Sequence, residues 1–243
     1  MPRPIQSQLP RPAAALLALA LSLFALSLAA PTTAIPEGQI VIRGAASGSH
    51  LRLTVKRDRI VVDGRMARHR PVGCHFTVGH HGAVCPLNGV GGIEIEMGPE
   101  GDMVEILDRL PIPLTARLGG GSDKMVANGE ADTCYPEGSR RNRCVGGPGR
   151  DICFTGQRNS DCVGGAGRDY CHHGGGSDGC WGGRGDDICV MGAGHDGCHG
   201  GAGDDRLYGG AASDQLYGGP GRDFCDGGRG RGKSHHCESG PRH

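Results

Sequence analysis

From Gly146 to Asp226 the chain reads GGPGRDICF, TGQRNSDCV, GGAGRDYCH, HGGGSDGCW, GGRGDDICV, MGAGHDGCH, GGAGDDRLY, GGAASDQLY and GGPGRDFCD, nine nonapeptides laid end to end without a gap. The frame extends backwards through ANGEADTCY from Ala127 and LGGGSDKMV from Leu118. Between them EGSRRNRCV fits from Glu137 after one inserted residue, Pro136, and a looser copy, MGPEGDMVE, begins at Met97. A fixed short period of this kind marks stacked repeats, each of which buries a face only against its neighbours.

Position six of the repeats from Leu118 onward is Asp at Asp123, Asp132, Asp151, Asp169, Asp178, Asp187, Asp196, Asp205, Asp214 and Asp223, with Asn142 and Ser160 as exceptions. Position eight is Cys or apolar throughout. This stretch, about Leu118 to Asp226, resembles the repeats-in-toxin (RTX) family, whose unit is G-G-x-G-x-D-x-U-x with U apolar. The resemblance implies that each repeat is a Gly-rich turn followed by a short strand. It further implies that two repeats make one winding of a right-handed parallel roll, with Ca2+ between stacked turns. The residues support this independently. Glycines permit the tight backbone of a six-residue turn and leave carbonyl oxygens free to face a cation. Calcium takes about six to eight oxygen ligands, from carboxylates and carbonyls, and such a turn offers both. The x-U-x triplet alternates out-in-out, so position eight faces the interior.

An 18-residue winding places alternate repeats on the same edge. The first edge carries Asp132, Asp151, Asp169, Asp187, Asp205 and Asp223 and keeps most of its glycines. The second carries Asp123, Asn142, Ser160, Asp178, Asp196 and Asp214, with worn glycines at Glu137-Gly138, Thr155-Gly156 and Met191-Gly192. A well-occupied calcium edge and a degenerate one are therefore expected. The strict spacing argues against a disordered Gly-rich tail. Without calcium, stacked carboxylates repel and ordering a residue costs ~1–2 kcal/mol of backbone entropy, so metal binding and folding should be coupled.

Position eight departs from the family pattern, being Cys at Cys134, Cys144, Cys153, Cys162, Cys171, Cys180, Cys189, Cys198 and Cys225. Two disulfide schemes stand open. Same-edge neighbours such as Cys153 and Cys171 would lie ~4.8 Å apart, whereas opposed sheets normally lie ~10 Å apart unless small side chains let them collapse. Either scheme pairs every cysteine once Cys74–Cys85 and Cys225–Cys237 are set aside as local links. A row of thiols binding zinc or copper, helped by His172, His173, His195 and His199, is the competing chemistry.

Upstream, residues 1–34 read as an export signal: Arg3 and Arg11 precede an apolar run from Ala13 to Ala30, with small residues offering cleavage after Ala29 or Ala34. Export agrees with the 12 cysteines, and no membrane span remains after cleavage. Residues 35–117 alternate apolar and polar at 39–42, 51–55, 59–62 and 92–96, with Cys74 and Cys85 bracketing a hairpin. They read as an irregular β-rich cap on residues 118–226, with 227–243 as a tail. The chain of 243 residues holds 47 Gly but a single Trp, so a large conventional core is not expected. Lys+Arg and Asp+Glu both total 26, which gives nucleic acid no electrostatic footprint.

Gly175-Gly176-Ser177-Asp178-Gly179 spells a nucleophile elbow, but it falls inside the repeat frame without the strand-to-helix turn that an elbow needs. Arg184-Gly185-Asp186 likewise occupies repeat positions three to five. The sequence therefore reads as an all-β, right-handed parallel β-roll that is secreted, binds Ca2+ and is not an enzyme. Its role is structural or interactive, with an extracellular protein or glycan partner left open. The alternatives are a thiol- and His-rich transition-metal binder and a carrier module for an absent enzyme.

Overall fold

The computed structural model describes residues 38–45, 48–66, 74–76, 82–138, 140–230 and 232–240. The export signal expected over 1–34 and the hairpin tip at 77–81 lie outside the described residues. No helix among the described residues is long and apolar enough to cross a membrane.

The early strands are β1 (Gln39–Arg43), β2 (His50–Lys56), β3 (Arg59–Gly64), β4 (His75–Phe76), β5 (Gly82–Pro86), β6 (Gly92–Glu96), β7 (Met103–Ile106) and β8 (Leu114–Gly119). The repeats supply β9 (Lys124–Val126), β10 (Thr133–Pro136), β11 (Arg143–Pro148), β12 (Ile152–Phe154), β13 (Asp161–Ala166), β14 (Tyr170–His172) and β15 (Gly179–Arg184). They continue through β16 (Ile188–Val190), β17 (Gly197–Ala202), β18 (Arg206–Tyr208), β19 (Gln215–Tyr217) and β20 (Phe224–Asp226), and β21 (Lys233–His235) follows.

Two sheets result. One runs β1-β6-β8-β10-β12-β14-β16-β18-β20, the other β21-β19-β17-β15-β13-β11-β9-β7-β2-β3-β5-β4. Successive repeats thus alternate between sheets, and repeats 18 residues apart pair in parallel, as in Cys153↔Cys171 and Cys162↔Cys180. The burial of β12, β14 and β16 is intermediate-buried-intermediate, which is the expected inward turn of position eight.

The windings begin well before the regular repeats. β1 pairs in parallel with β6 and β2 with β7, continuing both sheets towards the N-terminus. Among the described strands, β3, β5 and β4 pair antiparallel, and they extend the twelve-stranded sheet past β2. At the other end β21 adds a parallel strand to β19, and Cys225–Cys237 ties that segment down.

The core changes chemistry along the axis. Ile40, Ile42, Leu51, Leu53, Ile93, Ile95 and Leu114 fill its beginning, after which buried cysteines take over until Leu207 and Leu216. Of the two disulfide schemes, the links within the repeats follow the cross-sheet one. Cys134–Cys144, Cys162–Cys171 and Cys180–Cys189 join the opposed sheets with Cα separations of 6.3, 6.2 and 6.5 Å. Small side chains have let the sheets collapse well inside the usual ~10 Å. Cys74–Cys85 and Cys225–Cys237 form as local links. The expectation that every cysteine would pair is corrected, because Cys153 and Cys198 are buried thiols. With Cys162 bonded to Cys171, and Cys180 to Cys189, each of these two is left without a cross-sheet partner of its own.

Each of the three cross-sheet links closes a loop of about ten residues and stabilises the fold by roughly 2–3 kcal/mol on the chain-entropy account. Reduction by dithiothreitol is accordingly expected to raise the calcium concentration at the folding midpoint at least tenfold, read by far-ultraviolet circular dichroism. An unchanged midpoint would contradict a stapled core.

Candidate metal centre

All ten position-six aspartates are buried, none more than 5 % exposed. Each turn presents its carboxylate to the preceding winding. On the first edge the Leu114 amide donates to Asp132 Oδ1 at 3.0 Å. The Asp132 amide donates to Asp151 Oδ1 (2.7 Å), Asp151 to Asp169 (2.8 Å), Asp169 to Asp187 (2.7 Å), Asp187 to Asp205 (2.8 Å) and Asp205 to Asp223 (2.9 Å). The expected alignment of acids along one edge is therefore a continuous ladder.

The second edge carries a broken ladder. The Asp102 amide donates to Asp123 Oδ1 (2.9 Å) and the Asp123 amide to Asn142 Oδ1 (2.8 Å). It resumes with the amides of Ser160, Asp178 and Asp196 donating to Asp178, Asp196 and Asp214 Oδ1. Ser160, which lacks a carboxylate, turns its hydroxyl to the Arg158 carbonyl at 2.8 Å.

Each aspartate spends one oxygen on the ladder. The other, Oδ2, is buried without a hydrogen-bond partner in Asp123, Asp132, Asp151, Asp169, Asp178, Asp187, Asp196, Asp205, Asp214 and Asp223. An orphaned buried carboxylate oxygen carries a desolvation penalty, so ten of them, six in one continuous column, require an explanation. Burial accordingly raises Asp151, Asp187, Asp178 and Asp123 to about 7. Asp132, Asp169, Asp205 and Asp196 rise to about 6 from the same cause. Asp214 and Asp223 also move upward, again chiefly through desolvation.

The glycines show what surrounds these oxygens. A Cβ added to Gly182 would lie 2.5 Å from Asp187 Oδ2 and 2.5 Å from the Gly200 carbonyl oxygen. One added to Gly164 would collide with Asp169 Oδ2 and lie 2.7 Å from the Gly182 carbonyl oxygen. The absent side chain thus leaves a niche walled by a carboxylate oxygen of one turn and a carbonyl oxygen of the next. Such a hard, all-oxygen donor set suits calcium. Soft ligands are grouped differently: among the described residues the cluster within metal-binding reach is Cys171, Cys180 and Cys189, which contains no His and whose members are in disulfides. His199 is instead stacked between Trp181 and Tyr217 on the outer face, at 6.3 and 4.7 Å between ring centroids. His195 meets the Ser213 carbonyl at 3.1 Å.

Sequence reasoning missed three contributors. Asp102 opens the second ladder and was readable from position six of the looser Met97 repeat. Glu238 accepts from the Asp223 amide at 2.6 Å and so ends the first ladder, yet it lies outside the frame and gave no signal. His173, buried beside Asp178 at position one, was named only as a helper to a row of metal-binding thiols, so its place against the carboxylate was missed.

Two largely parallel sheets, wound through the regular repeats from nonapeptides with buried acids at most turns, define a β-solenoid with acid-lined edges. Residues 163–180, 181–197 and 199–232 match the RTX calcium-binding nonapeptide repeat, in four copies, and these are RTX repeats, which bind Ca2+. No curated protein and no solved structure matches the chain.

Proposed function

We propose that the protein is an extracellular, calcium-stabilised β-roll with a structural or interaction role and no catalytic activity. Calcium sits between successive turns of the first edge, held by Asp132, Asp151, Asp169, Asp187, Asp205 and Asp223 with backbone carbonyls, and on the second edge at Asp214. The unbroken column of partnerless Oδ2 atoms is the observation that carries this reading. Five disulfides support folding in an oxidising compartment, and hence export. The segments before and after the regular repeats would shield the terminal windings from solvent.

Equilibrium dialysis against 45Ca tests the assignment. Asp187→Asn is expected to lose at least one bound calcium per chain and to weaken the remaining sites about tenfold, because its neighbours share the ladder. Asp63→Asn, an exposed acid on β3, is expected to change neither. Equal effects from both substitutions, or none from Asp187→Asn, would remove the first edge as the binding site.

A further inference from the structure

The two edges differ at position one. On the first edge it is Ala127 in the first repeat and then Gly146, Gly164, Gly182, Gly200 and Gly218, and each of these five glycines lies against the partnerless oxygen of its own turn's aspartate. On the second edge the corresponding residues include Leu118, Thr155, His173 and Met191, all buried, and glycine returns only at Gly209. The His173 side chain is fully enclosed. Its Nδ1 lies 2.8 Å from Thr155 Oγ1 in a hydrogen bond and 3.9 Å from Asp178 Oδ2. Its Nε2 is buried without a partner. The imidazole therefore stands beside the carboxylate oxygen that, on the other edge, faces an open niche.

We propose that His173 is a specificity-determining plug: with Thr155 and Met191 on either side, it closes the middle of the second edge to calcium and restricts the ion to windings with a small residue, glycine or Ala127, at position one. A bound calcium requires about six to eight oxygens around it, and an imidazole ring or a thioether in that space supplies none. Asp178 retains a structural task, since its Oδ1 accepts the Ser160 amide at 2.7 Å, which accounts for an acid at a place that holds no ion. The proposal rests on calcium binding at the first edge and specifies where that binding stops.

Calcium stoichiometry separates the possibilities. Asp178→Asn is expected to keep the wild-type number of bound ions, whereas Asp187→Asn loses at least one. His173→Gly, which opens the niche and leaves the Met191 carbonyl in place, is expected to gain one. A loss on Asp178→Asn overturns the plug, as does a folded His173→Gly with no added ion. Should His173→Gly fail to fold, Asp178→Asn alone decides. A wild-type chain that binds no calcium would overturn the calcium reading and the plug together, a result distinct from either of the others.

The sulfur column independently carries a second inference. Eight cysteines from Cys134 to Cys198 occupy successive repeats and alternate between the sheets. Cys134–Cys144 links β10 forward to β11, Cys153 is passed over, Cys162–Cys171 and Cys180–Cys189 follow, and Cys198 is left. Shifting by one repeat gives Cys153–Cys162, Cys171–Cys180 and Cys189–Cys198. All three then run from the nine-stranded to the twelve-stranded sheet, as Cys134–Cys144 already does, and all 12 cysteines are paired. The sulfurs of Cys171, Cys180 and Cys189 already lie within 4.8 Å of one another, so the disulfide Cys162–Cys171 abuts the disulfide Cys180–Cys189.

We infer that the column has two pairing registers that differ by two electrons. The Cys153 thiolate attacks Cys162, breaking Cys162–Cys171 and releasing the Cys171 thiolate. Cys171 attacks Cys180, releasing Cys189 opposite Cys198. Joining Cys189 to Cys198 gives up two electrons and two protons to a small-molecule disulfide, which leaves as two thiols. Burial raises the Cys153 and Cys198 thiols far above the ordinary range, which keeps thiolate scarce in the folded core. The conversion therefore belongs to the calcium-free chain.

Tryptic mapping distinguishes the registers, because Arg158, Arg168 and Arg184 separate the cysteines. Incubation with oxidised glutathione in metal-free buffer, followed by calcium and alkylation in denaturant, is expected to join peptide 151–158 to 159–168. Peptides 169–184 and 185–206 are each expected to carry an internal disulfide, with no thiol left. Retention of the 159–168, 169–184 and 185–206 chain, with glutathione or alkyl groups on Cys153 and Cys198, would overturn the second register.

Discussion

Transfer of the folded protein into metal-free buffer at pH 7.5 is expected to abolish most of its strand signal in far-ultraviolet circular dichroism, and acidification to about pH 5 without calcium to restore part of it. The sign follows from the ladder. In the metal-free fold the buried aspartates have pKa values raised to about 6 or 7 from 3.8, so this state holds more protons than the unfolded chain between about pH 4 and 7. Its stability is therefore fully present below the unfolded pKa and is lost as pH rises through the folded values. Above pH 7 the column is a row of buried charges. Calcium removes that penalty, and each site stabilises the fold by about 2.7 kcal/mol when the free ion is at 100 times its Kd. Apparent calcium affinity should accordingly rise with pH and level off above about 7, as protons cease to compete. Strand content that is indifferent to calcium at pH 7.5, or a metal-free chain that is best folded at high pH, would contradict the ladder as the source of the coupling.

Gly185→Ala is the substitution expected to do most damage. Gly185 has φ +128°, and an added Cβ would collide with the Gly167 carbonyl oxygen of the winding below. The strained backbone and the displaced turn together should cost about 3 kcal/mol or more and disturb the calcium niches at Asp169 and Asp187. Gly197→Ala is its counterpart: an added Cβ there meets nothing within 4 Å, and φ is not in the left-handed region. Thermal unfolding in saturating calcium is expected to fall steeply for the first and to change by only a degree or two for the second. Equal shifts would show that glycine content, and not the position of each glycine, holds the roll together.

The periodicity made the winding legible. Asp at position six and an inward residue at position eight both recur every nine residues, and the structure places 18-residue neighbours side by side, with the acids in register. What escaped the sequence depended on distances that no period encodes. Cross-sheet disulfides became reachable only because Gly and Cys let the sheets approach, and the Cα separation of 6.2 Å at Cys162–Cys171 is a packing outcome. The early windings were concealed by irregular connections: Ser49 donates its amide to Asp102 across 53 residues, with the β3–β5 excursion between them. From the sequence His173 was legible only as a helper to a row of metal-binding thiols, because position one does not say where the ring lies. Its role follows from where its ring lies, against Thr155 and Asp178.

The direct test is where the calcium lies. Anomalous scattering from crystals grown in calcium should show a row of peaks along the Asp132 to Asp223 edge, spaced by ~4.8 Å, the distance between neighbouring strands, each between the carboxylates of consecutive windings. Crystals with ordered calcium only at exposed acids, and none between those turns, would contradict the account.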